Sequence, residues 1–198
     1  SFARPPRPAW VEVDLGAIAR NYARIRQETP PHVSLLAVIK DDAYGHGAVP
    51  VARVALASGV KSLAVATLEE GIQLREAGIR APILLLGERD PAEFAWAVDY
   101  DLTCVLGEPD LVSVLARTAA AAGKRVAVQI KINTGMNRYG IRWEKAWSLI
   151  ERVLAEDSLW LEGILSHFAQ SDEADKTFAR VQLDRFRRVL EELEARGL

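Results

Sequence analysis

Short apolar runs alternate with longer amphipathic segments along nearly the whole chain, and this alternation constrains the fold more than any other feature. The runs at 35–39, 62–66, 83–86, 102–105, 126–132 and 161–165 read as buried strands. Between and after them, the segments at 48–58, 68–77, 91–98, 109–122, 143–155 and 172–196 read as helices. Gly59, Gly78 and Gly123 serve as C-terminal stops, and Pro91 and Pro109 stand near helix starts. Six βα units of this kind predict an α/β fold, a parallel sheet covered by helices. Such regularity favours a right-handed (β/α) barrel, although an open doubly wound sheet alternates in the same way. An eight-stranded barrel commonly needs about 250 residues, and six strands do not close a ring. The expectation for 198 residues is therefore an incomplete barrel, with about six of eight βα units.

The rest of the chain fits around that frame. Residues 10–13 alternate like a short strand, Asp14 is placed to cap a helix running to about Gln27, and Pro30 and Pro31 end it. Residues 1–9 hold proline and basic residues without the apolar stretch of a signal peptide, so they read as a tail ahead of a truncated barrel over 10–198. Gly197 is placed as a C-cap to the last long helix, so the chain is expected to stop at an element boundary. An unclosed barrel would expose two strand edges and part of its apolar interior, surfaces that invite pairing with another chain.

Nearly half of the residues are apolar and the net charge is only −2, enough for one sizeable core. Charges of both signs are mixed without a basic block, which argues against nucleic acid and anionic membrane as partners. The single Cys104 excludes an internal disulfide, and no apolar run approaches the roughly 18 residues of a membrane span. Both facts suit the cytosol, and no metal site is expected.

Chemistry concentrates first at 35–47, where an apolar strand delivers Lys40 to its end and passes into a Gly45-His46-Gly47 turn. An amine beside apolar walls has its charged form disfavoured and can attack a carbonyl to form a Schiff base, most commonly with pyridoxal phosphate. On local pattern alone, Lys40 reads sooner as a solvated lysine at a strand end. A second candidate comes from a face count on the fifth strand. Val126, Val128, Ile130 and Ile132 point one way, and Ala127, Gln129, Lys131 and Asn133 point the other. Lys131 then faces the barrel interior, where an ammonium must be neutralised, paired or modified, unless its head reaches solvent or a carboxylate.

The segment Ala37-Val-Ile-Lys-Asp-Asp-Ala-Tyr-Gly-His-Gly47 resembles the cofactor-lysine motif of alanine racemases, AVVKAxAYGHG. Downstream, Lys131-Ile-Asn-Thr-Gly-Met-Asn-Arg-Tyr-Gly140 resembles that family's KxDTGMxRxG, and Ser166-His-Phe-Ala169 resembles its THFA. The motifs stand in family order, and the resemblance runs from about Trp10 to the last residue while covering only the first half of a family member. It implies a pyridoxal 5′-phosphate enzyme that interconverts L- and D-alanine, with a downstream use in bacterial cell-wall synthesis.

The resemblance also implies residue roles. Lys40 would hold the cofactor and then move a proton at the substrate α-carbon, and Tyr44 would give its hydroxyl to the cofactor phosphate. Arg138 would reach the substrate carboxylate and the cofactor phenolic oxygen, and His167 would lie against the cofactor ring. Leu86 is a weaker candidate for packing on that ring. Lys131 matches a lysine that many family members carbamylate, an anion that orients the matching arginine. Outside the family context these residues read differently: Tyr44 as a packing aromatic, Arg138 as a surface arginine, His167 as a core histidine and Leu86 as ordinary core. Asn133 stands where the family usually has aspartate, Asp41 replaces an alanine, and Asn137 occupies a frequent glycine position.

From the later half of a family member would come the phosphate-binding loops, an arginine facing the pyridine nitrogen, and a catalytic tyrosine entering from the partner subunit of a homodimer. Inversion needs a base on each face of the intermediate, so a chain holding only Lys40 is expected to be nearly inactive alone. The rival readings are a non-catalytic pyridoxal phosphate carrier built on a barrel, a barrel decarboxylase, and a domain-swapped fragment without function.

Overall fold

The computed structural model describes residues 10–198 and is built around one sheet of seven strands. β1 (Leu36–Val38), β2 (Ser62–Val65), β3 (Ile83–Leu85), β4 (Thr103–Leu106) and β5 (Val126–Asn133) pair in chain order. The two-residue β6 (Ile141–Arg142) joins Ile132 and Asn133 at the C-terminal end of β5, whereas β7 (Leu159–Leu165) pairs with β5 from Val126 to Lys131. Every ladder is parallel. A doubly wound sheet reverses its strand order at a switch point. Here the order runs one way from β1 through β5 to β7, so the ambiguity resolves in favour of a (β/α) barrel-type sheet. It is not closed: among the described residues β1 pairs only with β2, and β7 only with β5.

The helical segments are α1 (Leu15–Glu28), α2 (Lys40–Gly45), α3 (Ala48–Ala57), α4 (Leu68–Glu76), α5 (Phe94–Asp99), α6 (Pro109–Ala121), α7 (Ala146–Leu154) and α8 (Thr177–Ala195). Asp14 caps α1 as expected, its Oδ1 accepting from the Ala17 amide at 3.0 Å. Short 3₁₀ turns at Pro91–Glu93 and Trp143–Lys145 lead into α5 and α7. The helix expected from residue 172 starts later. Asp175 Oδ1 accepts from both the amide and the hydroxyl of Thr177, and this local bonding competes with helix until 177. Residues 10–13 form no strand. A strand needs a ladder, and none is offered: Trp10 is 77% exposed and its indole donates to Glu12. The tail expected over residues 1–9 lies outside the described residues.

Side-chain alternation divides the core in two. Leu63, Val65, Ile83, Leu85, Cys104, Leu106, Val128, Ile130 and Ile132 face the helices and are buried with Leu74, Phe94, Leu115 and Leu149. Ala64, Leu84 and Val105 face the other way and form a small interior cluster with Leu86, Tyr139 and Leu165. On β1 the residues of that second face, Leu36 and Val38, are exposed.

Candidate active site

Parallel strands put all their C-terminal ends on one side, and four candidates sit there. Lys40 follows β1, Leu86 follows β3, Arg138 lies in the loop after β5, and His167 lies just past β7. One mouth therefore carries Lys40, Leu86, Arg138 and His167 on its rim, as barrel enzymes carry their reactive groups.

The segment α2, which begins with Lys40, is left-handed. Asp41, Asp42, Ala43 and Tyr44 all have φ between +53° and +55°. An L-residue in this region costs roughly 1–2 kcal/mol, so four in a row cost about 4–8 kcal/mol that other contacts must offset. Several contacts close the turn from within: the Ala43 amide donates to the Ile39 carbonyl, the Gly47 amide to the Asp42 carbonyl at 2.8 Å, and the Ala48 amide to Asp42 Oδ1 at 2.7 Å. His46 braces it, with Nδ1 2.9 Å from the Ala43 carbonyl oxygen. The Lys40 side chain keeps 38% of its surface exposed and its Nζ lies 3.5 Å from Asp41 Oδ2. The apolar enclosure expected around this amine is therefore not formed by the described residues. Tyr44, on the same turn, is 59% exposed.

The loop after β5 is packed instead of strained throughout. Asn133 Oδ1 accepts from the Gly135 and Asn137 amides, and its Nδ2 donates to Asn137 Oδ1 at 3.2 Å. Both departures from the family motif in this loop thus touch each other. Asn137 has φ +55°, a conformation that favours glycine and that asparagine tolerates better than most residues. At Gly140 a Cβ would come within 2.5 Å of Lys131 Cγ and 2.7 Å of the Lys131 carbonyl oxygen, so only glycine fits.

Lys131 faces the interior, as the face count requires, and is 2% exposed. Its amine is 5.6 Å from the centre of the Tyr139 ring, and the Arg138 guanidinium is 5.8 Å from the same ring. Burial, reinforced by the Arg138 charge, pushes the Lys131 ammonium down to about 8. The neutral amine is therefore more populated at neutral pH than in an ordinary solvated lysine. Partial burial, then Lys131 and Arg138, hold the His167 imidazole below its ordinary value. Burial raises the Tyr139 phenol.

A buried glutamine ties the two loops together. Gln182 on α8 is 1% exposed; its Nε2 donates to Thr134 Oγ1 at 3.1 Å and to the His167 carbonyl at 2.9 Å, and its Oε1 accepts from the Ala169 amide. Thr134 and Ser166 hydroxyls lie 2.8 Å apart, Ser166 donates to the Ile132 carbonyl, and Arg185 donates to the Thr134 carbonyl. Sequence reasoning missed Gln182 and Tyr139. A glutamine among the apolar positions of an amphipathic helix was the available signal for the first, and an aromatic next to Arg138 for the second.

The structure thus groups Lys131, Arg138, Tyr139 and His167, places Leu86 beside Tyr139 and Leu165, and leaves Lys40 and Tyr44 on the separate left-handed turn. Among the described residues no carboxylate pairs with Lys131 or Arg138. Lys131 and Arg138 are thus cations without an ion-pair partner among the described residues, whereas the Lys40 amine has the Asp41 carboxylate beside it.

Residues 13–198 match the family described as the N-terminal domain of alanine racemase. The chain is 44% identical over 192 residues to the alanine racemase of Desulforamulus reducens, covering 96% of this chain and 52% of that protein. It is 43% identical to that of Syntrophobacter fumaroxidans, covering 96% of this chain and 51% of that one. Among solved structures, the alanine racemase of Bacillus anthracis with bound L-Ala-P superposes with a TM-score of 0.90 at 35% identity, over 99% of this chain and 51% of that one. The alanine racemase of Clostridium difficile 630 gives 0.87 at 32% identity, over 91% and 48%. The chain spans about half the length of the relatives it matches. With the cofactor-lysine motif, the arginine loop and the histidine motif on one rim of a barrel-type sheet, this chain belongs to the alanine racemase family and corresponds to its N-terminal domain.

Proposed function

We propose that this chain provides the cofactor lysine, the carboxylate-binding arginine and one of the two bases of a pyridoxal 5′-phosphate-dependent racemase that interconverts L- and D-alanine. The observation that carries the reading is the part-exposed Lys40 amine on the same rim as Arg138 and His167, with the Lys131 amine buried against the Tyr139 ring. Bound pyridoxal phosphate supplies an electron sink for the charge left when the substrate α-proton departs.

The chain's own residues do the rest. Lys40 would hold the cofactor through its amine and would remove or return the substrate α-proton on one face. Arg138 binds the substrate carboxylate through its guanidinium fork and reaches the cofactor phenolic oxygen. His167, whose charged form is disfavoured by its surroundings, and Leu86 would help hold the cofactor ring, and Tyr44 would offer its hydroxyl to the cofactor phosphate. The neutral amine of Lys131 would add carbon dioxide, forming an N–C bond and releasing a proton to solvent, so that a carbamate anion stands beside Arg138 in place of the ammonium. The base for the opposite face is a tyrosine supplied by the partner subunit in a full-length cytoplasmic homodimer. The isolated chain is accordingly almost inactive, and its product D-alanine serves cell-wall synthesis.

Titration with pyridoxal phosphate, borohydride reduction and peptide mapping test this reading, with Lys40→Ala as control. One adduct per chain at Lys40, lost in the variant, is expected. Scattered labelling unchanged by the substitution would overturn the assignment of Lys40. Robust racemisation by the purified chain at low concentration would overturn the need for a second base.

A further inference from the structure

A single carboxylate joins the Lys40 turn to the next βα loop. Glu70 is the last residue of a capping box at the start of α4: its amide donates to Thr67 Oγ1, and its Oε2 accepts from the Ala66 and Thr67 amides at 2.7 and 3.0 Å. Its other oxygen, Oε1, accepts from the Asp41 amide at 2.5 Å, across 29 residues of sequence. The Asp41 amide is the first peptide group after Lys40. The Ile39 amide, at the end of β1, donates to the Ala64 carbonyl on β2; past Lys40, the other bonds of the left-handed turn run within 39–48, and among the described residues Glu70 is what holds it from another element. A strained segment persists only where its surroundings over-determine it, and the direction in which a side chain leaves the backbone follows from the peptide groups on either side.

We propose that Glu70 is a positioning residue for Lys40: one carboxylate, gripping the amide that follows Lys40 and the two amides that open α4, sets the angle at which the lysine enters the mouth. The proposal rests on the reading of Lys40 as the cofactor lysine. A capping box by itself needs only the Thr67 and Glu70 bonds. The third bond, to Asp41, adds nothing to the cap of α4 and instead spends the remaining carboxylate oxygen on the neighbouring turn.

The test compares Glu70→Ala, Glu70→Gln and Thr67→Ala in the intact chain. Two readouts apply: hydrogen exchange of the Asp41 amide, and the rate at which pyridoxal phosphate and borohydride label Lys40. Loss of one charge-assisted bond predicts about tenfold or greater acceleration of Asp41 exchange and a comparable slowing of Lys40 labelling in Glu70→Ala. Glu70→Gln, which keeps one acceptor oxygen, is expected to fall between. Thr67→Ala weakens the same cap but leaves both Glu70 oxygens, so both readouts should stay within about threefold of the unsubstituted chain. Equal effects from Thr67→Ala and Glu70→Ala would reduce Glu70 to a helix cap and overturn the proposal, as would unchanged Asp41 exchange in Glu70→Ala. If Lys40 is not selectively labelled even without substitution, the cofactor reading fails, while amide exchange still decides whether Glu70 holds the turn.

Discussion

The two lysines of the mouth are placed by opposite means. Lys40 stands on four consecutive left-handed residues, with its side chain 38% exposed; Lys131 stands on a regular β-strand, with its side chain closed in by Tyr139, Gly140 and Arg138. In the first case the backbone carries the cost and the amine is part-exposed beside the Asp41 carboxylate. In the second the backbone is relaxed and the amine carries the cost as a depressed pKa.

Several substitutions would break or sharpen this contrast. Gly140→Ala should lose about 3 kcal/mol or more in urea denaturation, because the added methyl meets the Lys131 backbone and stem at a positive φ. Gly45→Ala, with open space around its Cβ and φ +83°, should lose only about 1–2 kcal/mol. Equal losses would erase the distinction between a packed and an open loop. Next in size, Gln182→Leu should cost about 2–3 kcal/mol, since it leaves the His167 carbonyl and the Ala169 amide without partners.

Lys131→Met should act in the other direction. The folded-state pKa lies below that of the unfolded chain, so unfolding takes up a proton between about 8 and 10.5, and the penalty of the buried ammonium is full below 8. The variant is expected to be more stable by about 1–3 kcal/mol at pH 7, with the advantage fading as pH rises through that window. Constant advantage across pH would show that packing, not charge, decides it. Carbamylation, detected with carbon-labelled bicarbonate, would move the penalty and shrink the gain. Smallest is Asp41→Gly, which should gain about 0.5–1 kcal/mol by relieving one left-handed residue.

Much of this was legible from the residues alone. The period of two along Val126, Val128, Ile130 and Ile132 put Lys131 inside, and βα spacing put Lys40 and His167 at strand ends. The hand of the Lys40 turn was not legible. Asp41, Asp42, Ala43 and Tyr44 all avoid positive φ when judged locally, and the adjacent Gly45 and Gly47 account for a turn without them. The Thr67-to-Glu70 capping box could be read from its spacing, but its third bond to Asp41 could not, because it depends on two strands lying side by side. The strand expected at 10–13 failed for a related reason: alternation marks a strand only where a neighbour offers its amides and carbonyls.

The Gln182 network sets an order of events. Thr134 lies 48 residues before Gln182, so on the ribosome the arginine loop emerges long before the side chain that fastens it. The bonds that tie the loops after β5 and β7 to each other through Gln182 therefore form only once α8 has docked.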